Sequence, residues 1–186
     1  MINVVLKIIL AMVLLLTGTF TSNAQSNNNF EFGIKAGGNL TNLKNTNGKH
    51  KIGLVGGIFT EYRISKKFSV RSEALFSMQG AKGKGSFETV KLNYINVLPG
   101  LAKFHPVESI RIEVGPYGGF LFSKKGGNLN KSDYRKIDYG ATLGIGFGIT
   151  ENVELGARYY YGLRDITKTT GEIKNKTIQV ALSYSF

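Results

Sequence analysis

The chain has 186 residues, with 24 Lys and Arg against 12 Asp and Glu, a formal net charge of +12, 24 Gly, and neither Cys nor Trp. The absence of cysteine excludes disulfides, thiolate metal sites, cysteine nucleophiles and a lipid anchor on a lipobox cysteine, and two histidines, His50 and His105, leave little for zinc chemistry or a histidine base. The basic excess fits nucleic acid or an anionic membrane until the charges are placed in a fold.

Residues 1–24 open with a short start carrying Lys7, continue with the apolar run Ile8 to Leu16, and close on Ser22-Asn23-Ala24 before Gln25. A basic start, an apolar stretch and small residues at −3 and −1 form a secretory signal peptide cleaved after Ala24. The run is too short for the roughly 20 residues of a spanning helix. The expected domain organisation is a signal peptide over 1–24 and one exported domain over 25–186.

From Phe30 onward the chain alternates with period two. Phe30, Phe32, Ile34 and Ala36 share one parity against Glu31, Gly33 and Lys35. Ile52, Leu54, Ile58, Tyr62 and Ile64 oppose Gly53, Gly57, Glu61 and Arg63, and Phe68, Val70, Ala74, Phe76 and Met78 oppose Ser69, Arg71, Glu73, Ser77 and Gln79. A fourth strand, around Val90 to Phe104, is irregular: Leu92 and Tyr94 have one phase, Ile95, Val97, Pro99 and Leu101 the other. A β-bulge near Tyr94 would switch the phase, and Pro99 cannot donate to a ladder. Further alternating segments begin at Ile110, Ile137 and Val153, and the last ends at Phe186. Each reads as a strand with one apolar face.

The connections alternate in length. Those near 39–51, 80–89, 123–136 and 164–176 are long, while Ser65-Lys66-Lys67, His105 to Glu108 and Thr150-Glu151-Asn152 are tight. An even number of antiparallel strands with long loops on one side and short turns on the other is the organisation of a transmembrane barrel. The fold class expected is therefore all-β, an eight-stranded antiparallel up-and-down transmembrane β-barrel. A lipocalin-like barrel would turn its second face to water and make it rich in Lys and Glu. Here that face carries Gly33, Gly53, Gly57, Gly115, Gly119, Gly140, Gly144, Gly146, Gly148, Gly156 and Gly162. Small residues with a few charges suit the lumen of a narrow barrel. The apolar face carries Phe30, Phe68, Tyr139, Tyr159, Tyr161 and Tyr184 near its ends, as aromatic girdles do.

The stretch Tyr94-Ile95-Asn96-Val97-Leu98-Pro99-Gly100-Leu101-Ala102-Lys103-Phe104 and the segment Glu113-Val114-Gly115-Pro116-Tyr117-Gly118-Gly119-Phe120-Leu121 resemble the PorT-like outer-membrane β-barrel family of Bacteroidetes. Asp138 to Gly144, Ala157-Arg158-Tyr159-Tyr160-Tyr161-Gly162-Leu163 and the terminal Tyr184-Ser185-Phe186 are similar to its later strands. The resemblance runs from about Phe30 to Phe186. It implies an eight-stranded barrel in the outer membrane of a Gram-negative bacterium, inserted by the barrel-assembly machinery through its last strand. It implies no single activity: some relatives belong to a gliding-associated protein secretion apparatus, and many are labelled porins.

With the N-terminus periplasmic, Glu31, Lys35, Arg71, Glu73, Arg111, Glu113, Glu154 and Arg158 fall in the periplasmic half of the lumen, joined by Glu61 and Arg63. Five acids against five bases suggest a mutually paired network, because buried charges are tolerated only when paired and hydrogen-bonded. Such a network is expected to plug the inner half. The long loops hold the basic surplus on Lys44, Lys49, Lys51, Lys82, Lys84, Lys124, Lys125, Lys131, Arg135, Lys136, Lys168, Lys174 and Lys176. They suit outer-membrane lipid, in particular the phosphates of lipopolysaccharide, or another anionic surface. Nucleic acid is set aside because no recognition fold is present.

Gly144-Ile145-Gly146-Phe147-Gly148-Ile149 lacks the third glycine and the helix of a dinucleotide loop. His50 falls in an expected outer loop and His105 at an expected inner turn, on opposite sides of the membrane. No catalytic, cofactor or metal site is expected. The functional expectation is a structural or interaction barrel with a plugged lumen, using basic outer loops to hold lipid or a protein partner. The alternatives are a narrow porin-like channel for small solutes and a component of the secretion apparatus.

Overall fold

The computed structural model describes residues 29–43, 50–83, 89–126, 133–166 and 174–186; the signal peptide read over 1–24 lies outside them. Eight strands follow one another: β1 (Phe30–Leu43), β2 (Lys51–Arg63), β3 (Phe68–Ala81), β4 (Val90–Val107), β5 (Ile110–Lys125), β6 (Ile137–Gly148), β7 (Val153–Asp165) and β8 (Lys174–Ser185). Each pairs antiparallel with the next, and β8 pairs with β1, closing the sheet into a barrel. Closure leaves no edge with unpaired backbone donors and acceptors, which is what a sheet in hydrocarbon requires.

The strands are strongly tilted. Paired residues lead from Arg63 through Ser69, Lys103, Glu113, Gly144, Arg158, Gln179 and Asn39 back to β2 at Gly53, ten residues from the start. A stagger of this kind accompanies a barrel whose interior is just wide enough for side chains to fill. Every position on that circuit between Arg63 and Gly53 belongs to the polar or glycine parity, so the tilt gathers charges from distant parts of the chain into one layer.

The period-two pattern sorts the side chains in or out. Ile52, Leu54, Ile58, Val70, Ile112, Val114, Leu143, Ile145, Ile178, Val180 and Leu182 are exposed on the outer wall. Phe30, Phe68, Tyr62 and Tyr184 mark its periplasmic end, and Tyr139 and Tyr161 its outer end. Lys35, Glu61, Arg71, Glu73, Glu113 and Arg158 are buried inside.

The phase switch in β4 lies elsewhere than the pattern suggested. Leu92, Tyr94, Asn96 and Leu98 all face inward, as do Leu101, Lys103 and His105, so the change falls at Pro99-Gly100 and not near Tyr94. The ladder to β3 shifts between Arg71 and Glu73, and that to β5 shifts between Val97 and Ala102. Proline cannot donate, so the bulge forms where the ladder can do without that bond. Ser72 Oγ donates to the Pro99 carbonyl oxygen at 2.8 Å. The ladder does shift beside Tyr94, against β5, without altering which way Tyr94 faces.

Two further boundaries differ. His105 sits within β4, which continues to Val107, rather than in a turn. Lys51, Lys124, Lys125, Lys174 and Lys176 belong to strand ends rather than loops, because the strands outrun the apolar belt and keep their ladders beyond it.

Candidate functional site

The lumen is filled in layers. Innermost is an ion-pair network assembled from six strands. Arg71 of β3 bridges Glu61 (Nε to Oε2, 2.6 Å) and Glu154 (Nη1 to Oε1, 3.1 Å). Lys103 of β4 donates to the same two carboxylates, at 3.0 Å to Glu61 and 2.9 Å to Glu154, and Arg111 Nε reaches Glu154 at 3.1 Å. Deeper in the barrel, Arg158 donates from Nη1 and Nη2 to the two oxygens of Glu73 at 2.6 and 3.0 Å, and from Nε to Glu113 at 2.6 Å. Lys35 completes this group at 3.1 Å from Glu73. Glu61, Glu73 and Glu154 thus each meet more than one cation, the arrangement that compensates desolvation, whereas Glu113 has Arg158 alone and its Oε2 has no hydrogen-bond partner among the described residues.

Neighbours hold the network in shape. The ring of Phe59 lies under the Arg71 guanidinium, 4.1 Å from Cζ to the centroid. That ring has room because residue 33 is glycine: a Cβ there would lie 2.6 Å from Phe59 Cε1. Gly144 does the same for Glu113, whose Cγ would be 2.9 Å from an added Cβ. Ser69 Oγ donates to Glu61 Oε1 at 2.5 Å, and His105 Nε2 lies 2.9 Å from Ser69 Oγ. Because the serine proton is committed to the carboxylate, the imidazole Nε2–H is the donor to that oxygen.

Of the ten charges expected in the lumen, Lys35, Glu61, Arg71, Glu73, Arg111, Glu113, Glu154 and Arg158 come together in this network. Glu31 and Arg63 instead pair with each other at 3.1 Å on the partly exposed periplasmic rim. The correction follows from β2 ending at Arg63, which leaves that side chain at the water. Lys103 is a central member that sequence reasoning missed. Its signal was its shared parity with Leu101 and His105, hidden until the bulge is put at Pro99. A pocket of about 20 Å³ beside Glu61, Arg71, Arg111 and Glu154 holds roughly one water by volume.

Above the network lies an apolar layer of Val55, Leu75, Leu98, Leu101, Tyr117 and Tyr160, with the two tyrosine rings edge to face at 5.2 Å. A polar layer follows: Asn39 Nδ2 and Gln79 Nε2 each donate to Ser77 Oγ at 2.8 Å, and Gln179 Nε2 donates to Asn39 Oδ1 at 3.2 Å. The outer mouth is closed by Ala81, Val90, Leu92, Tyr94, Leu121, Tyr134 and Ile166. Tyr134 and Ile166 come from beyond the strands. Burial first, and the Asp133 carboxylate second, raise the Tyr134 phenol above its ordinary value. The large apolar lumen residues were not separable in sequence from outer-wall ones, since both are apolar.

The outer rim carries Lys51, Lys82, Lys124, Lys125, Arg135, Lys136, Lys174 and Lys176 among the described residues, and Lys91 and Arg164 add to them. Lys44, Lys49, Lys84, Lys131 and Lys168 lie outside the described residues. Lys176 Nζ stands 5.8 Å from the Tyr161 ring centroid, Arg164 Cζ 5.7 Å from Tyr139 and Lys124 Nζ 5.6 Å from Tyr134. Lys176 and Arg164, over the girdle rings of Tyr161 and Tyr139, lie at headgroup height, whereas Lys124 covers a ring of the lumenal cap. Among the described residues no group of three His, Cys, Asp or Glu side chains is placed to hold a metal ion.

A closed antiparallel barrel with an apolar outer wall, aromatic girdles and an ion-paired interior is a transmembrane β-barrel of the bacterial outer membrane. The chain belongs to the outer membrane protein beta-barrel domain family, whose match spans residues 23–168. Among solved structures it is similar to neisserial surface protein A, at 18% identity over 85% of this chain and 97% of that one, with a TM-score of 0.58. It is also similar to Ail, the attachment invasion locus protein of Yersinia pestis, at 15% identity over 84% and 98%, with a TM-score of 0.51. A structure of Ail in complex with the heparin analogue sucrose octasulfate gives 16% identity over 84% and 99%, and the same TM-score of 0.51. At these identities the likeness establishes the fold alone. No curated protein matches the chain.

Proposed function

We propose that this barrel is an interaction protein of the outer membrane, whose basic outer rim binds the phosphates of outer-leaflet lipopolysaccharide. The packed lumen serves as a rigid support. One contrast carries the reading: the inner charges are spent on one another in buried pairs, whereas Lys82, Lys91, Lys125 and Lys136 are exposed at the opposite end. A base near an anionic membrane surface contributes about 1 kcal/mol. Replacing these four lysines by glutamine is therefore expected to weaken binding to lipopolysaccharide-containing vesicles by about three orders of magnitude. Binding to phosphatidylcholine vesicles stays unchanged. Sucrose octasulfate serves as a soluble polyanionic competitor. Undiminished lipopolysaccharide binding by the fourfold variant would remove the lipid role.

The support reading has its own expected result. In planar bilayers the wild-type barrel gives no stable, large conductance, because network, apolar layer and outer cap succeed one another along the axis. Stable conductance of that kind would favour the alternative of a narrow channel for small solutes. The PorT-like segment Glu113 to Leu121 contributes Glu113, Tyr117 and Leu121 to the lumen. It thus supports a shared interior more than a shared secretion partner, and co-purification of secretion components from membranes tests that membership.

A further inference from the structure

Asp138 stands apart from the paired charges. It projects inward from β6 opposite Gly119 and is 2% exposed. Its Oδ2 accepts two long bonds from neutral groups, the Tyr117 hydroxyl at 3.3 Å and Asn175 Nδ2 at 3.5 Å. Its Oδ1 has no hydrogen-bond partner among the described residues. No described lysine, arginine or histidine forms an ion pair with it. Arg164, level with Asp138 on β7 by the Gly140–Gly162 register, carries its guanidinium over the Tyr139 ring and makes no ion pair with the carboxylate.

The inner network does not supply the missing charge. It contains the bases Lys35, Arg71, Lys103, Arg111 and Arg158 against Glu61, Glu73, Glu113 and Glu154, a surplus of one cation. Arg111, the one base of the set that pairs only with Glu154, lines the periplasmic pocket at the wet end. Tyr117, Tyr160, Leu75, Leu98 and Leu101 stand between that network and the outer lumen, and Leu92, Tyr94, Leu121, Tyr134 and Ile166 close the mouth above. A carboxylate enclosed between two apolar layers is costly unless a counter-charge joins it.

Its surroundings supply further oxygen atoms. Asn175 Oδ1, the Tyr94 hydroxyl and Thr177 Oγ1 are likewise buried and without a partner among the described residues. The amide orientation is settled by chemistry: Asn175 Nδ2 faces both Gln79 Oε1 and Asp138 Oδ2, and a flip would set oxygen against two acceptors. Tyr94 and Asp138 share the space over Gly119, where an added Cβ would lie 3.3 Å from Tyr94 Cδ1 and 3.7 Å from Asp138 Cβ.

We propose that Asp138, Asn175 and Tyr94, with Thr177 on the same inward face of β8, bind one monovalent alkali-metal cation in the outer lumen. The donors are all hard oxygen, with neither imidazole nor thiolate, which selects against transition metals. One carboxylate neutralises one positive charge, so a divalent ion would leave a surplus in an apolar enclosure. The cation links β4, β6 and β8 and stabilises the folded barrel by binding it in preference to the unfolded chain. This site is independent of lipid binding at the rim.

The test uses the full barrel refolded in a zwitterionic detergent, with unfolding followed by heat-modified gel migration. Measurements are made in NaCl, KCl and N-methyl-D-glucamine chloride at one ionic strength. The wild type is expected to unfold several degrees higher in sodium or potassium than in the bulky organic cation, and Asp138→Asn to lose that difference. Equal unfolding temperatures for the wild type in all three salts, as a protonated Asp138 would give, overturn the proposal. So does a difference that survives in Asp138→Asn. Should that variant not refold, Tyr94→Phe decides: a raised half-saturating alkali-cation concentration supports the site, and an unchanged one overturns it.

Discussion

Arg158→Leu is expected to lower the unfolding free energy of the barrel by about 3–5 kcal/mol, the range for removing one partner of a buried ion pair. The guanidinium makes three short bonds, two to Glu73 and one to Glu113, and the Arg158 and Glu73 side chains are at most 2% exposed. Without it, Glu113 keeps no ion-pair partner among the described residues, and Glu73 keeps Lys35 and the weaker 4.0 Å approach of Arg71. The penalty is that of uncompensated carboxylates whose side chains are buried. Urea unfolding in phospholipid vesicles reads it as a shifted midpoint. A combined Lys35→Met, Glu73→Leu, Glu113→Leu, Arg158→Met variant removes the whole neutral group and should recover most of the loss, since apolar replacement of a complete buried set is often neutral or better. If the single change costs less than about 1 kcal/mol, as an exposed pair does, the charges are not buried as described.

Val180→Arg is expected to cost about 2–4 kcal/mol, whereas Tyr184→Arg on the same strand costs about 0–1 kcal/mol. Both side chains point outward, 50% and 45% exposed to the surroundings of the barrel. Val180 pairs with Gly38 and Ala157 midway along the wall, while Tyr184 lies at the periplasmic end beside Val153 and Phe186. A guanidinium at mid-height must be drawn into hydrocarbon, but one at the girdle reaches headgroups and water. The difference therefore measures depth and not side-chain volume. Equal costs at the two positions in vesicle refolding would mean that the apolar belt is not centred on Val180.

Much of this is legible in the sequence. Period-two alternation separated Ile52, Leu54 and Ile58 from Gly53, Gly57 and Glu61, because a strand turns successive side chains to opposite faces. Glycines on the second parity identified the crowded side, and Gly33 beside Phe59 shows why: the space a side chain would take is already filled. The charge excess, diffuse as a total, resolved by parity and by end into an inner set and an outer rim. Chain order and loop length gave the up-and-down connectivity, since neighbouring strands joined by tight turns have no other partner nearby.

What resisted was everything that depends on stagger and on local breaks in the ladder. The bulge at Pro99 set the phase of the second half of β4, and with it the place of Lys103, but two apolar parities in one strand left that choice open. The tilt decided which charges meet: Arg71 and Glu154, or Arg158 and Glu73, lie far apart in sequence and become neighbours only when the barrel closes with its ten-residue offset. The same closure put Glu31 and Arg63 at the water and Asp138 between apolar layers. Sequence by itself determined the eight alternating strands, their order and the two faces of the wall, because these follow from local pleat and hydrophobicity. The partners inside the wall were decided by tertiary structure alone, because they depend on register summed around the whole circumference.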